Sequence, residues 1–201
     1  MTGLTATQTL PGDYTDSARL DLSKDTRAVI LLNLAAIPLL LLAGFGVIAF
    51  VSAFRAESGL TFEIRGAQGV VALILLYAAM IVIHEAFHGI AFWYYTRSRP
   101  TFGISLRYAY AAAPDWFIPR RSYLVVALAP FFGITIFGLL LMGLGPAPVI
   151  FPAGFVIATN AAGCVGDFTV VGWLLRKPAE TLIRDEGDAM TIYMPSRRAS
   201  E

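Results

Sequence analysis

The residues of this chain that are best suited to chemistry form the sequence HEAFH, from His84 to His88. These are the only two histidines, and they are four positions apart. On an α-helix both imidazoles therefore project from one face, one turn apart, which suits two nitrogen ligands of a single tetrahedral zinc ion. Glu85 is placed to act as general base towards a zinc-activated water that attacks a carbonyl. The motif predicts metal-dependent hydrolysis.

An HExxH pattern can also arise by chance, with its polar groups buried in helix packing. The surrounding sequence argues against that interpretation, because residues 81–95, IVIHEAFHGIAFWYY, are otherwise apolar. Ionisable residues are costly inside a membrane-spanning helix, and three of them within five positions indicate a functional site.

The composition is that of a membrane protein. Hydrophobic residues make up 57% of the 201 residues and charged residues only 14%, and the mean hydropathy is +0.67. Because a helix needs about 20 apolar residues to span a bilayer, four stretches qualify: residues 28–54, about 66–95, about 123–144 and about 149–175. The predicted fold class is therefore an all-α membrane protein with four transmembrane helices, the last two joined by a GPAP turn at residues 145–148.

These spans divide the chain into an amino-terminal tail, residues 1–27, a four-span membrane domain, residues 28–175, and a carboxy-terminal tail, residues 176–201. The first tail is predicted to be mobile, and the second to be solvated with one small packed element. The net charge of +1 argues against a nucleic-acid partner, which would need a basic surface. The single cysteine, Cys164, excludes a disulfide within the chain and is interpreted as a packing residue.

Orientation follows from the basic residues, which concentrate on the cytoplasmic side of membrane proteins. Thirteen of the fifteen Lys and Arg residues lie in the two tails and in the loop between the second and third spans. The loop between the first and second spans holds the other two, Arg55 and Arg65. The sequence predicts a multi-pass protein of the cell (inner) membrane with both termini in the cytoplasm.

A catalytic zinc ion normally has three protein ligands, and without a third histidine a carboxylate must supply the last one. Asp167 is the only charged residue in the fourth stretch, about nine residues before that stretch ends. The histidines lie about as far before the end of the second stretch, on the same side of the membrane. At 1.5 Å per residue both positions are roughly 13 Å below the cytoplasmic boundary. The predicted metal ligands are therefore His84, His88 and Asp167, with Asp115 in the loop as a weaker candidate.

Asn160 lies seven residues before Asp167, two helical turns back on the same face. Its amide is suited to donate to a ligand carboxylate or to hold the oxyanion of a tetrahedral intermediate, so it is a candidate catalytic residue beside Glu85. The alternative is a hydrogen bond between helices that only aids packing. Gly163 and Gly166 on this stretch predict close approach of another helix, which we expect to be the second span.

The loop between the second and third spans contains TFGISLRYAY, in which large apolar and aromatic residues from Phe102 to Tyr110 alternate with small or polar ones. This period of two predicts a strand that returns as a short hairpin through APDW, residues 113–116. Because proteases commonly bind substrate by adding it to a strand edge, the strand is a candidate substrate-presenting element. An amphipathic strand resting on the membrane surface fits the pattern equally well.

HEAFH in one span and NAAGCVGD in a later one resemble the intramembrane zinc metalloproteases of the site-2 protease type. More narrowly, they resemble a small group of four-helix zincin peptidases, and the likeness covers most of residues 66–190. The resemblance implies a helical membrane bundle that holds zinc below the cytosolic surface through two histidines and an aspartate. The ligands implied here are His84, His88 and Asp167, with Glu85 as the catalyst.

Taken together, these features predict a membrane-embedded zinc metalloprotease that cleaves transmembrane or membrane-proximal proteins near the cytosolic face of the bilayer. Glu85 would serve first as base and then as proton donor to the leaving amine. Two alternatives stay open: a metal-dependent hydrolase of a non-peptide substrate such as a lipid amide, and a non-catalytic membrane protein that binds or transports a metal. Hydrolysis requires Glu85, whereas a structural or transport site has little use for it.

Overall fold

The computed structural model describes residues 4–21, 26–57, 66–104, 109–187 and 189–196. Most of these residues are helical, in the α-helices α1 Thr26–Phe54, α2 Gly66–Thr96, α3 Arg120–Leu144, α4 Ile150–Gly163 and α5 Val165–Leu175. The strands are β1 Tyr14–Leu20, β2 Thr101–Ile104, β3 Ala109–Ala112, β4 Ile118–Pro119, β5 Leu182–Asp185 and β6 Met190–Pro195.

Three helices of the described chain, α1, α2 and α3, are each long and apolar enough to cross a membrane. The fourth predicted span is broken: α4, with a 3₁₀ turn before it, and α5 pass the same test only as a pair, bent by 44° at Cys164. Glycines on both sides of the break, Gly163 and Gly166, weaken helix propensity there. The described chain thus has three candidate spans, or four if the bent pair counts as one.

The chain divides into two units, which are described separately. The first unit comprises Met1–Leu31, Glu85–Ala129 and Asp167–Glu201, and the second comprises Leu32–His84 and Pro130–Gly166.

In the second unit, helices pack closely at glycine positions, where no side chain separates them. A Cβ on Gly138 of α3 would lie 2.6 Å from Ile157, and one on Gly154 of α4 would lie 2.7 Å from Val47 of α1. The prediction that Gly163 and Gly166 allow such an approach is wrong, because a Cβ on either meets no atom within 4 Å. These two glycines flank the bend and do not line a helix contact.

Arg55 closes one end of the second unit. Its guanidinium donates hydrogen bonds to the carbonyl oxygens of Met142, Gly143 and Gly145, at 3.0, 3.2 and 2.9 Å. The last carbonyls of a helix have no partner within the helix, so this side chain caps the end of α3.

The first unit contains a four-stranded antiparallel sheet in the order β1-β6-β5-β4. Strand β1 comes from the amino-terminal tail, whereas β5 and β6 come from the carboxy-terminal tail. The sheet is absent from the all-α prediction, which treated the first tail as mobile and the second as solvated with one packed element. Alternate buried residues of β5 and β6, among them Ile183 and Ile192, join the hydrophobic core of this unit.

The hairpin between α2 and α3 lies earlier in the chain than the sequence predicts. Strand β2 pairs with β3 from Thr101↔Ala112 to Ile104↔Ala109, so the segment from Phe102 to Tyr110 is not one strand. The connecting residues 105–108 lie outside the described chain. The predicted turn at APDW follows β3 and leads through Phe117 into β4.

Candidate metal centre

Helix α2 runs without interruption through His84, Glu85 and His88. The two imidazoles are therefore one helical turn apart, as the spacing predicts. All three side chains are partly buried.

In the first unit, His88 lies between two oxygen atoms. Its Nδ1 is 2.9 Å from the carbonyl oxygen of Val126 on α3, and its Nε2 is 3.3 Å from Oδ1 of Asp167 on α5. A carbonyl oxygen can only accept, so Nδ1 donates to Val126, and Nε2 is the ring nitrogen that faces the aspartate. The structure thus brings together one predicted histidine and the predicted carboxylate.

In the second unit, His84 is held in the same manner. Its Nδ1 is 2.9 Å from Oδ1 of Asn160 on α4, and the amide nitrogen of Asn160 donates to the carbonyl oxygen of Pro130 at 3.3 Å. Asn160 is completely buried, and these two bonds engage both ends of its amide. Oδ1 accepts from the imidazole, so Nε2 is the ring nitrogen of His84 suited to bind a metal.

Cys164 has a more specific position than a packing residue requires. Its Sγ lies within 4.8 Å of a ring nitrogen of His84, and the residue is fully buried at the bend between α4 and α5. A thiolate is a good zinc ligand, so Cys164 is a further candidate that sequence reasoning missed. A single cysteine in an apolar stretch gives no signal of this kind.

The ring nitrogens of the two histidines and the carboxylate of Asp167 are atoms of the kind that bind zinc. Ligand histidines almost always donate their second ring N–H to a carbonyl, carboxylate or similar acceptor, and both histidines here do so through Nδ1. Ligand atoms bound about 2.0–2.2 Å from one tetrahedral zinc ion are roughly 3.4 Å apart. The separation of 3.3 Å between His88 Nε2 and Asp167 Oδ1 matches that distance.

Two other carboxylates differ sharply in environment. Asp115 is exposed in the turn after β3. Asp185, which the sequence places in a charged tail, is instead buried in β5 and accepts hydrogen bonds from the Tyr123 hydroxyl and from the Gly187 amide. Burial raises the pKa of Asp185 above its ordinary value of 3.8, although these two hydrogen bonds lower it.

The β2–β3 hairpin lies against the motif helix. The ring of Phe102 covers Gly89, the residue after His88, so closely that a Cβ there would overlap the ring. Gly89 is the residue that permits this contact between β2 and α2.

A helical protein with three or four apolar spans and two acceptor-held histidines on one helix fits the class of membrane metalloenzymes. The chain belongs to the family described as "Putative zincin peptidase", which matches residues 77–182, more than half of its length. That description indicates a metallopeptidase, a class that uses a metal ion, typically zinc.

Curated relatives match over a shorter segment. The multidrug resistance protein MdtK of Yersinia pestis (strain Pestoides F) and that of Yersinia enterocolitica serotype O:8 are each 39% identical to the chain over 71 residues. The match covers 34% of this chain and spans only 15% of the length of either relative. No solved structure matches the chain.

Proposed function

We propose that this protein is a membrane-embedded zinc metalloprotease in which His84, His88 and Asp167 hold the metal. One observation carries the proposal: each motif histidine has its Nδ1 fixed by an oxygen acceptor, and Asp167 stands at ligand distance from His88. Membership of a zincin peptidase family supports the same chemistry. The ligand set of two histidines and an aspartate supports kinship with the site-2 protease type.

A bound zinc ion would supply Lewis-acid activation of water and of the scissile carbonyl. Glu85 follows His84 on α2, and we assign it the proton transfer: it takes a proton from the attacking water and gives one to the leaving amine. Asn160 is assigned a positioning role, because its amide is engaged by His84 and Pro130.

We further propose four crossings, with both tails on the cytoplasmic side. Strands β1, β4 and β6 belong to one hydrogen-bonded sheet, which supports placing the two tails and the loop between α2 and α3 on one side of the membrane. The chain must then cross the membrane an even number of times between β4 and β5. Helix α3 is one crossing, which supports counting the bent pair α4–α5 as the second. The basic residues of this side supply the cytoplasmic orientation, and substrates would be transmembrane or membrane-proximal proteins.

The test compares a Glu85→Gln strain with the wild type. The variant keeps the ligand set, so purified protein should retain its zinc, while loss of a general base alone costs about 10²–10⁴-fold in rate. Quantitative proteomics of the membranes should then show accumulation of uncleaved substrates in the variant strain.

The same comparison separates the alternatives. A lipid-amide hydrolase would change the lipid profile of the Glu85→Gln strain and leave membrane proteins intact. A structural or transport site would tolerate Glu85→Gln with neither change, and that result would contradict hydrolysis of any kind.

A further inference from the structure

The first turns of α3 connect the metal centre to the sheet of the first unit. Tyr123 and Val126 lie three positions apart and therefore on one face of α3. Val126 offers its carbonyl oxygen to Nδ1 of His88 at 2.9 Å, while the Tyr123 hydroxyl donates to Oδ2 of Asp185 in β5. One face of α3 thus contacts a candidate ligand at one turn and the sheet at the turn before.

Two aromatic rings support the same contact. Phe92, one turn after His88 on α2, packs edge-on against Tyr123, with ring centroids 6.1 Å apart. Phe92, Tyr123 and Val126 are buried, with exposed fractions of 1%, 5% and 1%. Helices α2 and α3 therefore meet at two successive levels, His88 with Val126 and Phe92 with Tyr123, and a displacement at one level reaches the other through close packing.

The sheet side of this connection is fixed by several bonds. The Gly187 amide donates to Oδ1 of Asp185 at 2.8 Å, so both carboxylate oxygens of Asp185 are engaged. Strand β4, which pairs with β5, ends one residue before α3, and the Arg120 amide donates to the Thr181 carbonyl at 2.9 Å. The start of α3 is thereby tied to β5 through the backbone and through one buried side-chain pair.

Arg120 connects α5, the helix that carries Asp167, to the start of α3. Its guanidinium donates to the carbonyl oxygens of Leu174 and Lys177, at the end of the helix that carries Asp167. The end of α5 is therefore bonded to the first residue of α3.

We propose that the Tyr123–Asp185 pair positions the His88 side of the metal centre, by holding α3 so that the Val126 carbonyl fixes the orientation of the imidazole. The pair acts through α3 and the Val126 carbonyl, so both are positioning residues. The inference rests on the proposed function, since it assigns the pair a role at the zinc site proposed above. It also assigns a role to the four-stranded sheet, because Asp185 belongs to β5 of that sheet.

The test uses Tyr123→Phe, which keeps the ring packed on Phe92 and removes only the hydroxyl, and Asp185→Asn as a second, independent variant. Metal-free proteins are titrated with Co²⁺, whose visible absorption reports ligand geometry. Loss of outer-shell support typically costs 10–100-fold in metal affinity, and for this more distant pair we expect about tenfold with a shifted cobalt spectrum. In Asp185→Asn one acceptor oxygen must serve two donors, Tyr123 and Gly187, so the Tyr123 bond is weakened. The double variant should bind Co²⁺ about as well as the weaker-binding single variant, because both changes act on the same bond.

The matched control is Tyr14→Phe, which removes the tyrosine hydroxyl bonded to the Glu180 carbonyl at 2.9 Å in the same unit. It should leave the cobalt affinity and spectrum unchanged. If Tyr123→Phe and Asp185→Asn lower thermal stability but bind Co²⁺ like the wild type, with the same spectrum, the pair is only structural and the inference is overturned. Wild-type protein that binds neither Co²⁺ nor Zn²⁺ would instead overturn the proposed function, and the inference with it.

Discussion

Asp167 is the residue on which the proposed metal centre depends most. The sequence singled it out by its depth in the fourth apolar stretch, and the structure places its Oδ1 3.3 Å from Nε2 of His88. That agreement could be predicted because depth in a membrane follows from residue count along a helix. Its identity as a zinc ligand stays a prediction.

We predict that Asp167→Ala lowers zinc occupancy severely and abolishes hydrolysis, because two histidines leave the ion with too few protein ligands. Asp115→Ala is the control: Asp115 is exposed in a turn, so its loss should leave occupancy near that of the wild type. Metal analysis of both purified variants decides the matter. Full zinc in Asp167→Ala would point to another third ligand, and Cys164, close to His84, would be the next to replace.

Asp185 shows where reasoning from the sequence ended. It stands in a run of charged residues in the tail, a pattern typical of a solvated segment, and its burial depends on a sheet whose strands are distant in the chain. The role of Val126 could not be predicted either, because its backbone carbonyl accepts the hydrogen bond from His88 and any residue type could supply that group.

A raised pKa of Asp185 predicts a pH-dependent stability. A carboxyl whose pKa is higher in the folded state binds its proton more tightly there, so stability is greatest below the unfolded value, near 3.8, and falls as the pH rises through the folded pKa. Thermal unfolding of metal-free protein across this range should show that fall, and Asp185→Asn should reduce it. An equal fall in the variant would assign the effect to other groups.

At the scale of elements, α1, α2 and α3 follow the predicted apolar stretches closely, because length and hydropathy are local properties of the sequence. The fourth stretch is broken at Cys164, where glycines on both sides, Gly163 and Gly166, weaken helix propensity. The turn of the hairpin was predicted too late in the chain, because the alternation of large and small residues does not by itself locate a turn. Pairing of Ile104 with Ala109 places it within the segment read as one strand.

The contact between the hairpin and α2 gives a prediction about glycine. Gly89→Val would drive a side chain into the ring of Phe102 and displace the hairpin, whereas Gly172→Val on α5 meets nothing within 4 Å of its Cβ. Both changes place a β-branched residue in a helix, so their propensity costs are alike. We expect Gly89→Val to lower peptide hydrolysis at least several-fold more than Gly172→Val, with zinc content retained in both. Equal activity in the two variants would show that the hairpin does not serve the reaction.

At the scale of the whole molecule, the sheet restricts how the chain crosses the membrane. Strands β1 and β6 are separated by nearly the entire sequence, and such pairing between distant short strands is not encoded in local periodicity. In the proposed topology this pairing is compatible only with both tails on one side of the membrane. The charge pattern of the loops, which is independent of the sheet, favours the same arrangement.

This arrangement predicts the outcome of reporter fusions at four places. A reporter after Glu201 or in the loop between α2 and α3 should report the cytoplasm, whereas one in the loop between α1 and α2 or in the GPAP turn, residues 145–148, should report the exterior. The decisive pair is the GPAP turn and the carboxy terminus, because they lie on opposite sides only if α4 and α5 together cross the bilayer. An exterior signal from the carboxy terminus would leave three spans and would be incompatible with β6 pairing to a cytoplasmic β1. Such a result would remove the four-span proposal and, with it, the placement of the metal centre near the cytosolic face.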